Sequence, residues 1–292
     1  MKPYTLLGNL LVGLVSLAAG GCTAVADIAK VPPVSDDASA PDVRVAAVGA
    51  DASRPDVVAV EAGAGLADVP LRILFVCDIE GSMAITDPPP DNCGQEVCLT
   101  RRAQAIVETM QRYPPGGEVK YGIISFAATG SILTTDAAGD SGFTTDKSQV
   151  SAVVPSLSAV FGQSGYDSAL GLAFEMMQAD MNTLGASRGR ARYEIVFMSD
   201  GTPEPDVTAP GQSIPPDVEL DVENIVGLQT AQQVALVSLN TVYFNAANTP
   251  VSAELQAGSL MQAMASLANG QYREVESNES LDLSYIDFTG GS

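Results

Sequence analysis

Histidine is absent from all 292 residues. That absence removes Ser-His-Asp and Cys-His catalytic arrangements and every histidine-held zinc or copper site. Basic residues are scarce too: 14 Lys and Arg stand against 35 Asp and Glu, a formal net charge of -21. Such a surface repels phosphate backbones and anionic lipid headgroups, so nucleic acid is not an expected partner. No Gly-x-Gly-x-x-Gly follows an expected strand, and no Gly-x-x-x-x-Gly-Lys-Ser/Thr occurs. Gly162-Gln163-Ser164-Gly165-Tyr166 fails as a Gly-x-Ser-x-Gly elbow at its last position. Hydrolase and dinucleotide chemistry thus lack their sequence marks, and the chain reads as a non-enzyme. It is 46% hydrophobic, enough for one sizeable core with extensions.

At the N-terminus, Lys2 precedes an apolar run from Leu6 to Ala19 that is interrupted by Gly8 and Gly13. The run is short for a membrane span. It ends at Gly20-Gly21, directly before Cys22. One positive charge, a short apolar region and a small-residue exit describe a secretory signal peptide over residues 1–21. A cysteine placed after such residues resembles a bacterial lipobox, which implies that Cys22 carries lipid as the first mature residue. An ordinary signal peptide with a chance cysteine, or a spanning helix, are the other readings. Residues 31–70 are rich in Ala, Val, Pro, Asp and Gly, hold no aromatic side chain and sustain no period of 2 or 3.6. Residues 22–70 are therefore expected to form a disordered tether, with the membrane reached through the lipid anchor alone. The protein is expected to be exported, at the cell surface or in the periplasm.

From Leu71 the pattern becomes regular. Ile73-Leu74-Phe75-Val76-Cys77 reads as a strand buried on both faces. Further strands are expected at Val119–Phe126, near Ile132-Leu133, at Tyr193–Met198, at Val237–Phe244 and at Gln271–Val275. Helical spacing of apolar residues places helices between them, the one near Val150–Val160 bent or shortened by Pro155. This alternation predicts a doubly wound α/β domain over 71–292, its mostly parallel sheet covered by helices on both faces. Cys93 and Cys98 lie close together in a proline- and glycine-rich loop of an apparently exported chain. A small disulfide loop is the expectation and half of a metal knuckle the alternative. Cys77 reads as a free packing residue.

The first strand runs straight into Asp78-Ile79-Glu80-Gly81-Ser82. A carboxylate ending a buried strand is costly unless it is neutralised, and clustered oxygens there suit a hard divalent cation. Asp78 and Asp200 both end expected strands, so both can face the crevice at the strands' carboxyl ends. The stretch resembles the metal-site signature of the von Willebrand factor type A family, a strand followed by Asp-x-Ser-x-Ser, with Glu80 in place of the middle serine. Ser199-Asp200-Gly201 is similar to that family's Asp-Gly motif, and Ser164 stands where the family carries a threonine ahead of Ala169-Leu170. The resemblance covers about residues 71–288. It implies that Asp78, Ser82 and Ser164 offer oxygens to Mg2+, Mn2+ or Ca2+, with Asp200 close by, and that a partner protein's acidic side chain completes the shell. Glu80 either joins the ion or swings out to solvent, and in both cases attraction for an external acid falls. Taken singly, the same aspartates and serines would do for helix caps and turns.

Two functions follow from this reading. One is a lipoprotein whose domain binds a protein partner in adhesion through a divalent-metal site. The other is a metal-free interaction module working through the disulfide loop and the proline-rich insertion at 202–220.

Overall fold

The computed structural model describes residues 69–90, 98–114, 118–158, 162–201, 203, 213–245 and 251–288, with the side chains of 251–255 left aside. The signal segment 1–21, Cys22, nearly all of the tether, Cys93 and most of the 202–220 insertion lie outside them. The described residues fall within one compact unit, Ala59–Ser292.

Six strands form one sheet: β1 (Leu71–Asp78), β2 (Val119–Phe126), β3 (Gly130–Ile132), β4 (Arg192–Ser199), β5 (Leu236–Asn245) and β6 (Tyr272–Glu276). Their order is β3-β2-β1-β4-β5-β6. Every neighbouring pair is parallel except β2 with the three-residue β3. The helices are α1 (Met83–Thr86), α2 (Arg101–Arg112), α3 (Lys147–Val153), α4 (Tyr166–Thr183), α5 (Pro216–Gln232) and α6 (Val251–Leu267). This is the doubly wound α/β fold expected from the sequence.

All eight residues of β1 are buried, so its side chains divide between two cores by strict alternation. Leu74 and Val76 pack in one core with Met177 of α4, Val222 of α5 and Met264 of α6. Ile73, Phe75 and Cys77 face the other core, with Ile106 of α2, Val150 of α3 and the C-terminal Leu283, Ile286 and Phe288. Cys77 is a free thiol there, and burial pushes its pKa up to about 12, which leaves it unreactive. Cys98 is not a free thiol.

Local chemistry sets where the helices begin and end. The Thr100 side chain accepts a hydrogen bond from the Ala103 backbone N–H at the start of α2. Pro216 opens α5, with Asp217 and Glu219 in its first turn. Pro155 shortens the helix that carries Val150: α3 stops at Val153 and a 3₁₀ turn continues over Val154–Ser158. After α6 the left-handed residue is Asn269, at φ 54°, rather than the glycine that follows it. Gly270 is required for another reason: a Cβ there would lie 2.0 Å from the Leu239 carbonyl oxygen. No helix among the described residues is long and apolar enough to cross a membrane.

At the end of the sheet where β1 begins, Arg72 Nε donates to Asp180 Oδ2 at 2.8 Å, and Tyr193 Oη donates to the same oxygen at 2.7 Å. Both charged side chains are nearly excluded from water, at 4% and 9% exposure. Removing one partner strands the other, which costs about 3 kcal/mol or more. Asp180→Ala is therefore expected to lower the unfolding free energy by about that amount in urea titration.

Candidate metal centre

β1 and β4 are neighbours although the chain visits β2 and β3 between them, so sheet growth reverses at this pair. A crevice opens outside the strand ends at such a reversal. Three connections reach it: the β1–α1 turn with Glu80 and Ser82, the loop before α4 with Ser164, and the end of β4 with Asp200. The structure thus brings together all five expected ligand residues.

Asp78 is fully buried at the end of β1. Its Oδ1 accepts the Glu80 backbone N–H at 2.9 Å, and its Oδ2 lies 2.6 Å from Ser199 Oγ and 2.9 Å from Ser164 Oγ. Asp200 Oδ1 lies 2.7 Å from Ser82 Oγ, and Asp200 Oδ2 is hydrogen-bonded by Thr86 Oγ1. Glu80 does not swing out. Its Oε1 contacts Ser82 Oγ, and its Oε2 lies 2.9 Å from Ser164 Oγ. Ser199 and Thr86 were not among the expected ligands; they hold the outer oxygens of the two aspartates.

Two glycine and tyrosine contacts fix this geometry. Gly165 N–H donates to the Ala127 carbonyl at 2.7 Å, and a Cβ on Gly165 would lie 2.6 Å from the Ala128 carbonyl oxygen. Only glycine lets the Ser164 loop come so close to the end of β2. Tyr166 is stacked edge-on against Phe126 and Phe197, and its hydroxyl donates to the Gly201 carbonyl at 2.7 Å. The start of α4 and the loop after β4 are thereby tied together.

The charge at this site is out of balance. Asp87 pairs with Arg101 and Arg102, Asp180 with Arg72, and Glu194 with Arg192. Among the described residues no ion pair engages Asp78, Glu80 or Asp200. Protons are short as well. Six hydroxyl–carboxylate contacts are served by four hydroxyls, those of Ser82, Thr86, Ser164 and Ser199. Ser82 and Ser164 each touch two carboxylates with one proton to give. Among the described residues no group of three or more carboxylates or thiolates is placed to hold an ion. The carboxylates are interleaved with hydroxyls, so an ion here would draw on serine oxygens as well. An all-oxygen donor set with surplus negative charge suits Mg2+, Mn2+ or Ca2+.

Without an ion, the cost appears as a raised pKa. Burial lifts the Asp78 carboxyl from 3.8 to about 7 against the hydrogen bonds of Ser199 and Glu80 N–H, and the nearby Asp200 adds to the rise. Burial also raises Asp200, against hydrogen bonds from Thr86 and Ser82. A carboxyl whose folded pKa lies above its unfolded value favours the folded state while protonated. Its contribution is fully present below 3.8 and is lost as pH rises through about 7. In a chelating buffer, the chain is expected to melt at a higher temperature near the lower end of that window than above it. Asp78 alone accounts for at most about 4 kcal/mol of the difference, and Asp78→Asn should flatten the dependence.

No family model matches the chain, and no curated protein matches it. Solved structures similar to it include a von Willebrand factor type A protein from Catenulispora acidiphila, at 10% identity and a TM-score of 0.45 over 71% of this chain and 39% of that one. The vWF domain of the type V pili tip protein Mfa5 from Porphyromonas gingivalis aligns at 12% identity and a TM-score of 0.44, covering 72% and 90%. BatB from Bacteroides thetaiotaomicron aligns at 17% identity and a TM-score of 0.40, covering 70% and 90%. The chain thus spans well under half the length of the Catenulispora protein. Two of these three are named for the von Willebrand factor domain, and at such identities and scores the likeness is one of architecture alone.

Proposed function

We infer that the chain is an exported, lipid-anchored binding protein whose α/β domain engages a protein partner at a divalent-cation site outside β1 and β4. One observation carries this reading: Asp78, Glu80 and Asp200 converge through shared hydroxyls while no ion pair among the described residues balances them. Asp78, Glu80, Ser82, Ser164 and Asp200 would hold the ion. When bound, the ion would supply positive charge to a buried carboxylate cluster and set the spacing of the three loops.

The surroundings suit protein contact rather than turnover. Ile85 on α1 is 73% exposed, and Pro88, Pro89 and Pro90 beyond it are exposed as well. Exposed apolar side chains grouped beside a polar crevice are the kind of surface a protein partner covers. Export and anchoring rest on the N-terminal segment, with Cys22 directly after Gly20-Gly21.

Calorimetry of Mg2+ and Mn2+ on the chain tests the ion. Binding is expected in the wild type and lost in Asp78→Asn and Ser164→Ala. At a hundredfold excess over Kd the ion should add about 2.7 kcal/mol to stability. No heat and no stabilisation with either ion would leave the metal-free interaction module as the function. For the anchor, Cys22→Ser should move the protein from the membrane fraction to the soluble exported fraction. If the variant stays in the membrane, the apolar segment itself is the anchor.

A further inference from the structure

Resting on the lipid-anchor reading, we propose that the end of the sheet where β1 begins is a docking surface for anionic phospholipid headgroups, which lays that end on the membrane. The net charge of -21 is a sum over the whole chain and hides how the charge is spread. Five of the 14 basic residues gather at this one end: Arg72, Lys120, Arg188, Arg190 and Arg192. Strand register brings three of them level, with Leu71 beside Arg192 and Arg72 beside Lys120. The other two stand on the 3₁₀ turn Gly185–Arg190 that leads into β4.

Acids meet only three of the five. Asp180 takes Arg72 and Lys120, and Glu194 takes Arg192. No ion pair among the described residues engages Arg188 or Arg190. Arg188 Nη1 donates to the neutral Gln232 Oε1 at 3.4 Å, and Arg190 is exposed. Against these two stands one acid without an ion pair, Glu118 just ahead of β2. The acids of the crevice do not cancel the surplus. The eight residues of β1 put them about 26 Å away, and physiological salt screens exposed charges beyond about 8 Å.

Position makes a membrane the partner that fits. Pro70, at the point where the tether joins the domain, accepts the Arg192 backbone N–H at 2.8 Å, and Leu71 N–H donates to the Glu118 carbonyl at 2.9 Å. The chain therefore enters the sheet between β2 and β4, among the basic side chains. A coil of the length of residues 22–70 has an end-to-end distance of about 40 Å. That keeps the patch at millimolar effective concentration over the surface that holds Cys22, so a weak attraction is enough. Each arginine close to an anionic surface strengthens binding about fivefold. With this end down, Asp78 and Asp200 at the ends of β1 and β4 point away from the lipid, toward a protein partner.

Vesicle flotation tests this with the full chain carrying Cys22→Ser, so that lipid attachment adds nothing. The readout is the difference in flotation between vesicles of phosphatidylcholine alone and vesicles that also contain phosphatidylglycerol. Stronger flotation with phosphatidylglycerol is expected, weakened by added salt and reduced about thirtyfold by Arg188→Gln with Arg190→Gln. Replacing both arginines by lysine should leave flotation as it was, and thermal melts establish that each variant is folded. Equal flotation on the two vesicle types, or no loss in the glutamine variant, overturns the proposal. So does flotation that rises with salt, which would place the chain's own acidic segment 22–70 on the patch. The anchor is scored separately, on neutral vesicles, where the wild type recovered from membranes should float and Cys22→Ser should not. If those two behave alike, the anchor reading falls, and the phosphatidylglycerol comparison still decides the patch.

Discussion

Asp78 ends a strand in which every residue is buried, and the cost of a carboxylate in that position shapes the rest of the domain. Its two oxygens are met by a backbone N–H from the following turn and by hydroxyls from β4 and from the loop before α4. Each of those donors belongs to a different segment, so satisfying one side chain brings three parts of the chain to one point. Gly165 and Tyr166 then hold the segments in place through backbone approach and aromatic packing. The hydrogen bonds offset part of the desolvation, yet the carboxyl still sits well above its usual range. The sheet's other buried acids, Asp87 and Glu194, are each given an arginine. Asp78 and Asp200 have no such partner among the described residues.

Much of this was legible in the residues themselves. The mostly parallel sheet follows from apolar runs alternating with helical spacing, because a fully buried strand needs helices on both of its faces; the order of the strands does not. Asp78, Ser82 and Asp200 could be found because each lies at or just beyond a strand's end, where direction is fixed by the chain. Ser164 was found by its place ahead of Ala169-Leu170. Thr86 was missed because the proline run after it reads as loop, although its spacing of four from Ser82 is one helical turn. Ser199 was missed because its role depends on the β1–β4 register, which pairs Cys77 with Met198 and so sets Ser199 beside Asp78. That register is a tertiary fact. The same holds for Glu80, whose side chain had two rotamer options that sequence could not separate.

Polar chemistry is placed very differently at the two ends of the sheet. Where β1 begins, Arg72 and Lys120 both pair with Asp180, and Tyr193 donates to the same carboxylate. Where it ends, acids predominate and arginine is spent on Asp87 rather than on Asp78. A buried carboxylate met there by two cations stabilises the fold. The other end is held by hydrogen bonds to carboxylates that no ion pair among the described residues balances. The two clusters thus sit about one strand length apart and can be altered separately.

The two borders of the sheet bear on what happens when many copies crowd together. On one side the sheet finishes in β3, three residues long and turned antiparallel to its neighbour. On the other it finishes in β6, five residues that include Arg273, Glu274 and Glu276. A border that short or that charged offers too few free backbone groups to recruit a strand from a second molecule. Domains displayed side by side at high density would therefore resist fusing into continuous sheets, and each would keep its crevice to itself.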